Sequence, residues 1–280
     1  PATPEIYTLS LPDARPIYAP DMPDAVEGMV SLRGTMVPVI NLQKFCGVRT
    51  DSKPKILMIT EYNKHVQGFL VDSVDMIERL NWDEVKAPPQ MLTSRLGGLV
   101  TAVAELNNGT LVMIMDVEKV LAETAGFYDS ETVYEGIEPH ANSDITVLFA
   151  DDSSVARSQI KKTLEKMGVR YISTINGMEA WKLLTSLADQ AESSGGSVRD
   201  KVQLILTDVE MPEMDGYVLT RRIKQDPRFG KIPVIMHSSL TADANQNLGK
   251  GVGADAYVPK FQPHELSITL SALLDKLEKK

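Results

Sequence analysis

Two patterns of hydrophobic residues divide this chain of 280 residues. Up to about residue 121, apolar residues form short runs or alternate with polar ones, and β-branched residues are frequent, which is typical of β-strands. Many short strands joined by tight turns predict an antiparallel barrel or sandwich. The predicted strands occupy 26–34, 35–42, 55–62, 65–74, 99–106 and 111–117.

Turn residues separate some of these strands. Residues 107–109 read Asn-Asn-Gly and predict a hairpin, because Asn and Gly tolerate positive φ. Residues 62–65 give a weaker hairpin signal. The first twenty residues, in contrast, are poor strand material, so we expect no strand there.

After residue 144, continuous apolar runs alternate with amphipathic helical stretches. The run 145–150 is apolar throughout, as expected of a strand covered on both faces. Ser153 is a suitable N-cap for the next helix, and Gly168 is a suitable stop. Between them lies an apolar stripe at Val155, Ile160, Leu164 and Met167.

Four further strands follow, each with helical material after it, at 171–175, 204–208, 234–238 and 256–260. Five alternating β and α units predict a doubly wound, five-stranded parallel sheet of the flavodoxin-like type. The stretch 188–201 is predicted to be a flexible surface loop.

The stretch between the two patterns is acidic. Residues 123–144 contain six carboxylates and neither Lys nor Arg, and they lack a sustained apolar period. They predict a linker over 123–143, between a first domain at 1–122 and a second at 144–280. An alternative is that Phe127, Tyr128 and Tyr134 dock on a neighbouring domain.

Composition narrows the functional classes. The net charge is −9, of which −6 lies in 122–144. No basic patch resembles a nucleic-acid surface, which argues against DNA binding. No apolar run approaches the ~20 residues that span a bilayer, and there is no signal-peptide pattern, so we expect a cytoplasmic protein. The single Cys46 excludes an internal disulfide, and we expect it to be a small buried residue.

Chemically useful residues end four of the five strands predicted for the second domain. Asp151 and Asp152 follow the first strand, Asp208 ends the third, Ser238 the fourth and Lys260 the fifth. Ligands of open α/β sheets bind beyond the carboxyl ends of the strands. Three carboxylates at one edge would repel each other unless a cation neutralises them, and Mg²⁺ prefers oxygen ligands.

Together these residues suit phosphoryl transfer. A carboxylate can act as the nucleophile, while a metal and a lysine stabilise the oxygens of the transferring group. Asp208 is the best acceptor, because Met-Pro at 211–212 and Asp-Gly at 215–216 form the turns after it. A single aspartate is more often a turn or cap residue, but four positions on four strand ends favour a site.

Four segments resemble the receiver domain of bacterial response regulators, over about 144–278. They are FADDS, LILTDVEMPEMDGY, IPVIMHSS and GADAYVPKF. The resemblance implies that Asp208 accepts phosphate from a histidine kinase. It also implies Mg²⁺ ligands from Asp151, Asp152, Asp208 and the backbone carbonyl of Glu210, a phosphoryl-binding hydroxyl at Ser238, a rotating aromatic switch at Tyr257 and a phosphate-pairing Lys260.

Three residues near this site depart from the family pattern or invite a catalytic interpretation. Phe261 replaces the usual proline after the lysine, which puts the expected cis peptide in doubt, since without proline it costs ~3 kcal/mol. Glu210 adds a carboxylate that would alter the phosphate lifetime in either direction. The alternation of side chains along its strand predicts a packing role for His237, not a catalytic one.

Residues 22–47 resemble the CheW coupling domain of bacterial chemotaxis, a pair of small β-barrels, as do 96–100 and the strand before 117–121. The resemblance covers about 20–122. The family has more barrel strands before the matching motif, so we expect an incomplete first barrel. Arg33 is the candidate partner-binding residue, although an ordinary strand-end arginine paired with a carboxylate is equally compatible with the pattern.

A CheW-like domain followed by a receiver resembles the CheV family. The likeness implies an adaptor that bridges chemoreceptors and the histidine kinase CheA at receptor arrays, with CheA phosphorylating the receiver. Such a protein is not an enzyme and at most dephosphorylates itself slowly. Two alternatives are a phosphate sink that drains CheA and a small-molecule phosphatase of the haloacid type, in which Glu210 is the general acid.

Overall fold

The computed structural model describes residues 6–10, 16–18, 22–62, 65–81, 84–89, 91–92, 98–125, 131–142, 144–239 and 243–278. The chain divides into two compact units. The first contains Pro1–Arg79 and Glu123–Gly126, and the second contains Leu80–Ala122 and Phe127–Lys280. The second unit therefore combines the end of the CheW-like region with the receiver-like region.

A five-stranded sheet forms the first unit. Its strands are β1 (Ile6–Ser10), β2 (Val26–Leu32), β3 (Thr35–Asn41), β4 (Ile56–Tyr62) and β5 (His65–Val71), in the order β1-β4-β5-β3-β2. The one-turn helix α1 (Leu42–Phe45) follows β3. Alternate residues of these strands point into one buried cluster, which comprises Val30, Val37, Val39, Leu57, Ile59 and Leu70.

Two expectations for this unit are wrong. The first twenty residues do contain a strand, since β1 pairs antiparallel with β4 from Ile6 opposite Thr60 to Ser10 opposite Ile56. The sheet is also not wholly antiparallel, because β3 and β5 run parallel. A parallel pair requires a crossover connection, and α1 with β4 supplies it. Cys46 caps the end of α1 and is half-buried.

The second unit begins with a small antiparallel sheet. Its strands are β6 (Val85–Lys86), β7 (Val100–Glu105) and β8 (Leu111–Met115), and helix α2 (Val117–Ala125) follows. The predicted Asn-Asn-Gly hairpin joins β7 and β8, with Gly109 at φ 80°. The other predicted hairpin joins β4 to β5, where Tyr62 lies opposite His65, but residues 63–64 lie outside the described residues.

The receiver-like region is a five-stranded, all-parallel sheet, as predicted. Its order is β10-β9-β11-β12-β13, the flavodoxin-like arrangement. The elements are β9 (Thr146–Ala150), α3 (Ser154–Lys166), β10 (Arg170–Thr174), α4 (Gly177–Ser193), β11 (Leu204–Thr207), α5 (Gly216–Gln225), β12 (Val234–Ser238), α6 (Asp243–Gly251), β13 (Ala256–Pro259) and α7 (Pro263–Glu278).

Both faces of this sheet are covered, which explains the continuous apolar run of β9. Val147 and Phe149 face one core with α3 and α7, whereas Leu148 and Ala150 face the other with α4 and α5. The predicted helix limits of α3 are confirmed. The Ser153 side chain accepts a hydrogen bond from the Ala156 N–H, and Gly168 ends the helix at φ 67°.

The stretch 188–201 is not a flexible loop. Helix α4 continues to Ser193, and a 3₁₀ turn at Val198–Asp200 follows, with a capping box between Ser197 and Asp200. Ala188 and Ala191 are buried, and they extend the apolar stripe of α4 with small residues among polar ones. Their small size hid the helical period in the sequence.

The predicted linker is also partly structured. Helix α2 runs into it as far as Ala125, and a 3₁₀ helix occupies Glu131–Tyr134. Tyr134 and Ile137 are buried in the receiver core on the side of α3 and α7. The docking alternative is therefore correct for Tyr134, whereas Phe127 and Tyr128 lie outside the described residues. Among the helices that the structure describes, none is long and apolar enough to cross a bilayer.

We expect Ala188→Asp to destabilise the receiver by about 3 kcal/mol or more, because it buries an unpaired charge. Gln190→Asp puts the same charge on an exposed position of the same turn, and it should cost less than about 1 kcal/mol. Urea unfolding, followed by Trp181 fluorescence in a Trp82→Phe background, measures both. Equal losses would contradict the ordered end of α4.

Candidate functional site

The carboxyl ends of four neighbouring strands bring the predicted site residues together. Asp151 follows β9, Asp208 follows β11, Ser238 ends β12 and Lys260 follows β13. These strands are adjacent in the sheet order, and all run in the same direction. The sheet topology therefore converts residues more than a hundred positions apart into one cluster.

Three carboxylates converge at this edge. One oxygen from each of Asp151, Asp152 and Asp208 lies within 4.8 Å of the others. Asp151 and Asp208 are buried, and Asp152 is half-buried. Apart from an ion pair, Asp151 Oδ2 accepts no hydrogen bond from the described residues. A compact set of three carboxylate ligands fits the preference of Mg²⁺ for oxygen.

Lys260 supplies positive charge inside the cluster. Its side chain is 3% exposed, and its Nζ lies 2.9 Å from Asp208 Oδ2 and 3.0 Å from Asp151 Oδ2. Such a buried ammonium group is tolerated only because carboxylates surround it. The predicted counter-charge is thus in contact with the predicted phosphate acceptor.

The cluster contains more acidic than basic side chains. Burial raises the pKa values of Asp151, Asp152 and Asp208; Lys260 lowers them, and repulsion from neighbouring carboxylates raises them again. One lysine does not offset this much negative charge. The carboxyls therefore hold protons more readily than in water, and a divalent cation would compete with those protons.

The loop after β11 holds Asp208 in a fixed orientation. The Val209 N–H donates to Asp208 Oδ1 at 2.6 Å. The chain then turns back, so that Gly216 N–H donates to the Val209 carbonyl. A Cβ at Gly216 would lie 2.0 Å from the Asp208 carbonyl oxygen, so only glycine fits there. The Glu210 side chain in this loop is exposed.

Ser238 and Tyr257 form a polar pair on the last two strands. Ser238 is buried, Tyr257 is half-buried, and their side chains are hydrogen-bonded. Burial raises the pKa of Tyr257, and the bond with Ser238 opposes this rise. The predicted hydroxyl and the predicted aromatic switch are therefore coupled directly.

The turn after Lys260 differs from the family pattern. The described residues contain no cis peptide bond, and Phe261 adopts φ 63°. Positive φ is rare for a bulky residue, and here it redirects the chain from β13 into α7. His237 is buried on β12, and burial lowers its pKa to about 3, which keeps it neutral. This agrees with a packing role.

Arg33 belongs to the first compact unit and is exposed. Arg33 and Gly34, at φ 51° and 86°, form the two-residue turn between β2 and β3. Arg33 also lines a shallow cavity of about 190 Å³ with neighbours from β3, β4 and β5. Its role in partner binding stays a prediction.

Two acidic residues at this edge were missed from sequence. Glu118 of α2 is buried, with Oε1 3.1 Å from Lys260 Nζ and 3.0 Å from Ser239 Oγ. Asp116 caps α2 by accepting from the Lys119 N–H, and burial with the nearby Glu118 charge raises its pKa to about 6. In the sequence both look like ordinary first-turn acids of a helix, so no local signal marked them.

The assembled site contains a carboxylate fixed at both oxygens, a cation-binding acid cluster, a lysine and a hydroxyl. A phosphoryl group bonded to Asp208 would meet Lys260 and the Ser238 hydroxyl. These are the groups that stabilise phosphoryl oxygens in transfer reactions.

Comparison with known proteins covers both halves of the chain. Residues 9–125 match the CheW-like domain, and residues 147–270 match the response regulator receiver domain. Chemotaxis protein CheV3 of Helicobacter pylori is 31% identical over 90% of this chain and 81% of its own length. Chemotaxis protein CheV1 of the same organism is 25% identical over 89% and 80%.

The receiver also has single-domain relatives. Chemotaxis protein CheY1 of Helicobacter pylori is 32% identical over 46% of this chain and 95% of its own length. The likeness to CheV3, however, extends through both domains in the same order. The chain therefore belongs to the CheV family of chemotaxis proteins, which join a CheW-like domain to a receiver as signalling adaptors.

Proposed function

We propose that this protein links chemoreceptors to the histidine kinase CheA at receptor arrays, and that phosphorylation of Asp208 controls the link. The match of residues 9–125 to the CheW-like domain supports the coupling role. The control is supported by one observation above all, the 2.9 Å contact between Lys260 Nζ and Asp208 Oδ2 inside a buried acid cluster.

In the proposed reaction, Asp208 attacks the phosphorus of a phosphohistidine. A new O–P bond forms, the N–P bond breaks, and the electron pair stays on the imidazole nitrogen. The Val209 N–H and Lys260 hold the two carboxylate oxygens, so Asp208 meets the donor in one orientation. Lys260 then pairs with the phosphoryl oxygens.

Bound Mg²⁺ would supply charge that offsets the acids and the transferring group. The side chains of Asp151, Asp152 and Asp208 would hold it, together with the Glu210 carbonyl that the receiver likeness implies. Loss of phosphate by slow hydrolysis at the same site would end the signal.

Phosphorylation adds about two negative charges beside Ser238. The Ser238 hydroxyl would turn toward the phosphoryl group and weaken its bond with Tyr257. Tyr257 would then change position on β13, the edge strand of the sheet. In this way, phosphorylation of Asp208 would change the surface formed by the last strands and helices.

Asp208→Asn is expected to abolish phosphorylation, because it removes the nucleophilic oxygen while keeping the size of the side chain. Asp189→Asn, an exposed position on α4, should be labelled like the unmodified protein. Incubation with acetyl phosphate or phosphorylated CheA, followed by phosphate-affinity electrophoresis, measures the labelling. Persistent labelling of the Asp208→Asn variant would disprove the assignment.

Mg²⁺ should stabilise the receiver by about 2.7 kcal/mol at a hundredfold excess over its Kd. Asp151→Asn and Asp152→Asn should lose most of this gain, whereas Asp189→Asn should keep it. Thermal unfolding with and without Mg²⁺ gives the comparison. An unchanged gain in the Asp151→Asn variant would contradict the metal site.

The same experiment has a predicted pH dependence. The carboxyl pKa values are raised in the folded state, so without Mg²⁺ the free energy of unfolding should fall as the pH rises above the ordinary carboxyl range. The Mg²⁺ gain should change in the opposite direction and grow as the pH rises above the ordinary carboxyl range, because fewer protons compete for the ligands. A pH-independent gain would place Mg²⁺ elsewhere.

The affinity for CheA should differ between the free and the phosphorylated protein, as measured by pull-down with receptor-containing membranes and CheA. Arg33→Glu should weaken binding about tenfold, or roughly 1.4 kcal/mol, while Arg49→Glu, exposed in the same unit, should not. Equal affinities of the two phosphorylation states, with rapid loss of phosphate, would instead identify a phosphate sink.

A further inference from the structure

Glu118 lies in the receiver's reaction site although its helix α2 belongs to the CheW-like match. Both of its carboxylate oxygens approach Lys260, with Oε1 at 3.1 Å and Oε2 at 3.4 Å from Nζ. The Ser239 hydroxyl donates to Oε1 at 3.0 Å. An ammonium group and a hydroxyl from the ends of β12 and β13 thus hold the carboxylate of Glu118.

Other contacts of the same stretch reach the same edge of the receiver. Asp116 is hydrogen-bonded to the side chain of Ser153, which caps α3 three residues after β9. The Val85 carbonyl accepts from the Glu213 N–H, in the loop after β11. The stretch from β6 to α2 therefore touches the loops that surround Asp208, and Glu118 is its residue in contact with Lys260.

Glu118 and a phosphoryl group would require the same partner. Lys260 already contacts Asp151 and Asp208, and Glu118 is its third carboxylate. A phosphoryl group on Asp208 carries about two negative charges and needs the lysine and a nearby hydroxyl. Placing it beside a buried glutamate would set like charges against each other in a low-dielectric site.

We propose that Glu118 is an intramolecular stand-in for the phosphoryl group, and that it holds α2 on the receiver until phosphorylation of Asp208 expels it. This inference rests on the proposed function, because it requires Asp208 to be the acceptor. With acetyl phosphate as donor, the O–P bond to Asp208 forms, the P–O bond to acetate breaks, and acetate leaves with the electron pair. Lys260 then exchanges Glu118 for the new phosphoryl oxygens.

By thermodynamic linkage, phosphorylation of Asp208 and the contact of α2 with the receiver affect each other. If phosphorylation weakens the contact between α2 and the receiver, loss of that contact must favour phosphorylation by the same factor at equilibrium. A partner that binds α2 after it has left the receiver would therefore favour phosphorylation of Asp208. The end of the CheW-like match and the receiver would thus influence each other through the contacts of Glu118 with Lys260 and Ser239.

The first test measures the initial rate of phosphorylation by acetyl phosphate in the full chain. Glu118→Gln keeps the shape of the side chain and removes its charge, and it should speed labelling about fivefold, which corresponds to about 1 kcal/mol off the barrier, because the incoming phosphoryl group no longer meets a buried carboxylate. Glu123→Gln, exposed on the same helix, is the matched control and should leave the rate unchanged. Equal rates in the Glu118→Gln variant and the unmodified protein would overturn the proposal.

The second test needs no substitution of Glu118. Hydrogen exchange of α2 peptides should accelerate when beryllofluoride with Mg²⁺ occupies the site, and it should not change in Asp208→Asn. If Asp208 is labelled but the hydrogen-exchange rate of the α2 peptides does not change, the proposed role of Glu118 is wrong and the proposed function still stands. Absence of labelling in the unmodified protein would overturn the proposed function and this inference together.

Discussion

The buried ammonium group of Lys260 is the interaction on which the site depends. Without it, Asp151, Asp208 and Glu118 would bring buried negative charge together with no internal counter-charge. Desolvation makes each uncompensated charge costly, so the lysine permits the cluster to exist in a folded protein. It also leaves the cluster negative overall, and this remaining charge would attract the proposed cation.

The parallel sheet provides the geometry that the lysine needs. Four of the five strands carry candidate site residues at their carboxyl ends, and the apolar run behind these residues fixes their depth in the fold. Gly216 brings the loop after β11 back against Asp208, at a distance that no side chain would allow. The packing of the sheet and its loops thus sets the position of the Asp208 carboxylate, the proposed phosphate acceptor.

Most of this arrangement could be predicted from the sequence, because the patterns that indicate it are local. Hydrophobic runs located the strands, and the polar residues directly after them identified the site. The residues whose roles could not be predicted are those whose deciding contacts are distant in sequence. Ala188 and Ala191 gave no visible apolar period, yet they are buried against residues that only the fold brings near. Glu118 looked like a helix-start acid, and its partner Lys260 lies 142 positions away.

Tyr134 and Ile137 have a consequence for the α2 contact. Both are packed into the receiver core, and the preceding 3₁₀ helix begins at Glu131, soon after α2 ends at Ala125. The chain between these points spans at most roughly 20 Å when fully extended. A helix on so short a tether stays at a high effective concentration near its binding surface. If phosphorylation of Asp208 releases this helix as proposed, the release would be a local opening that recloses quickly, and the lifetime of the aspartyl phosphate, rather than diffusion, would set its duration.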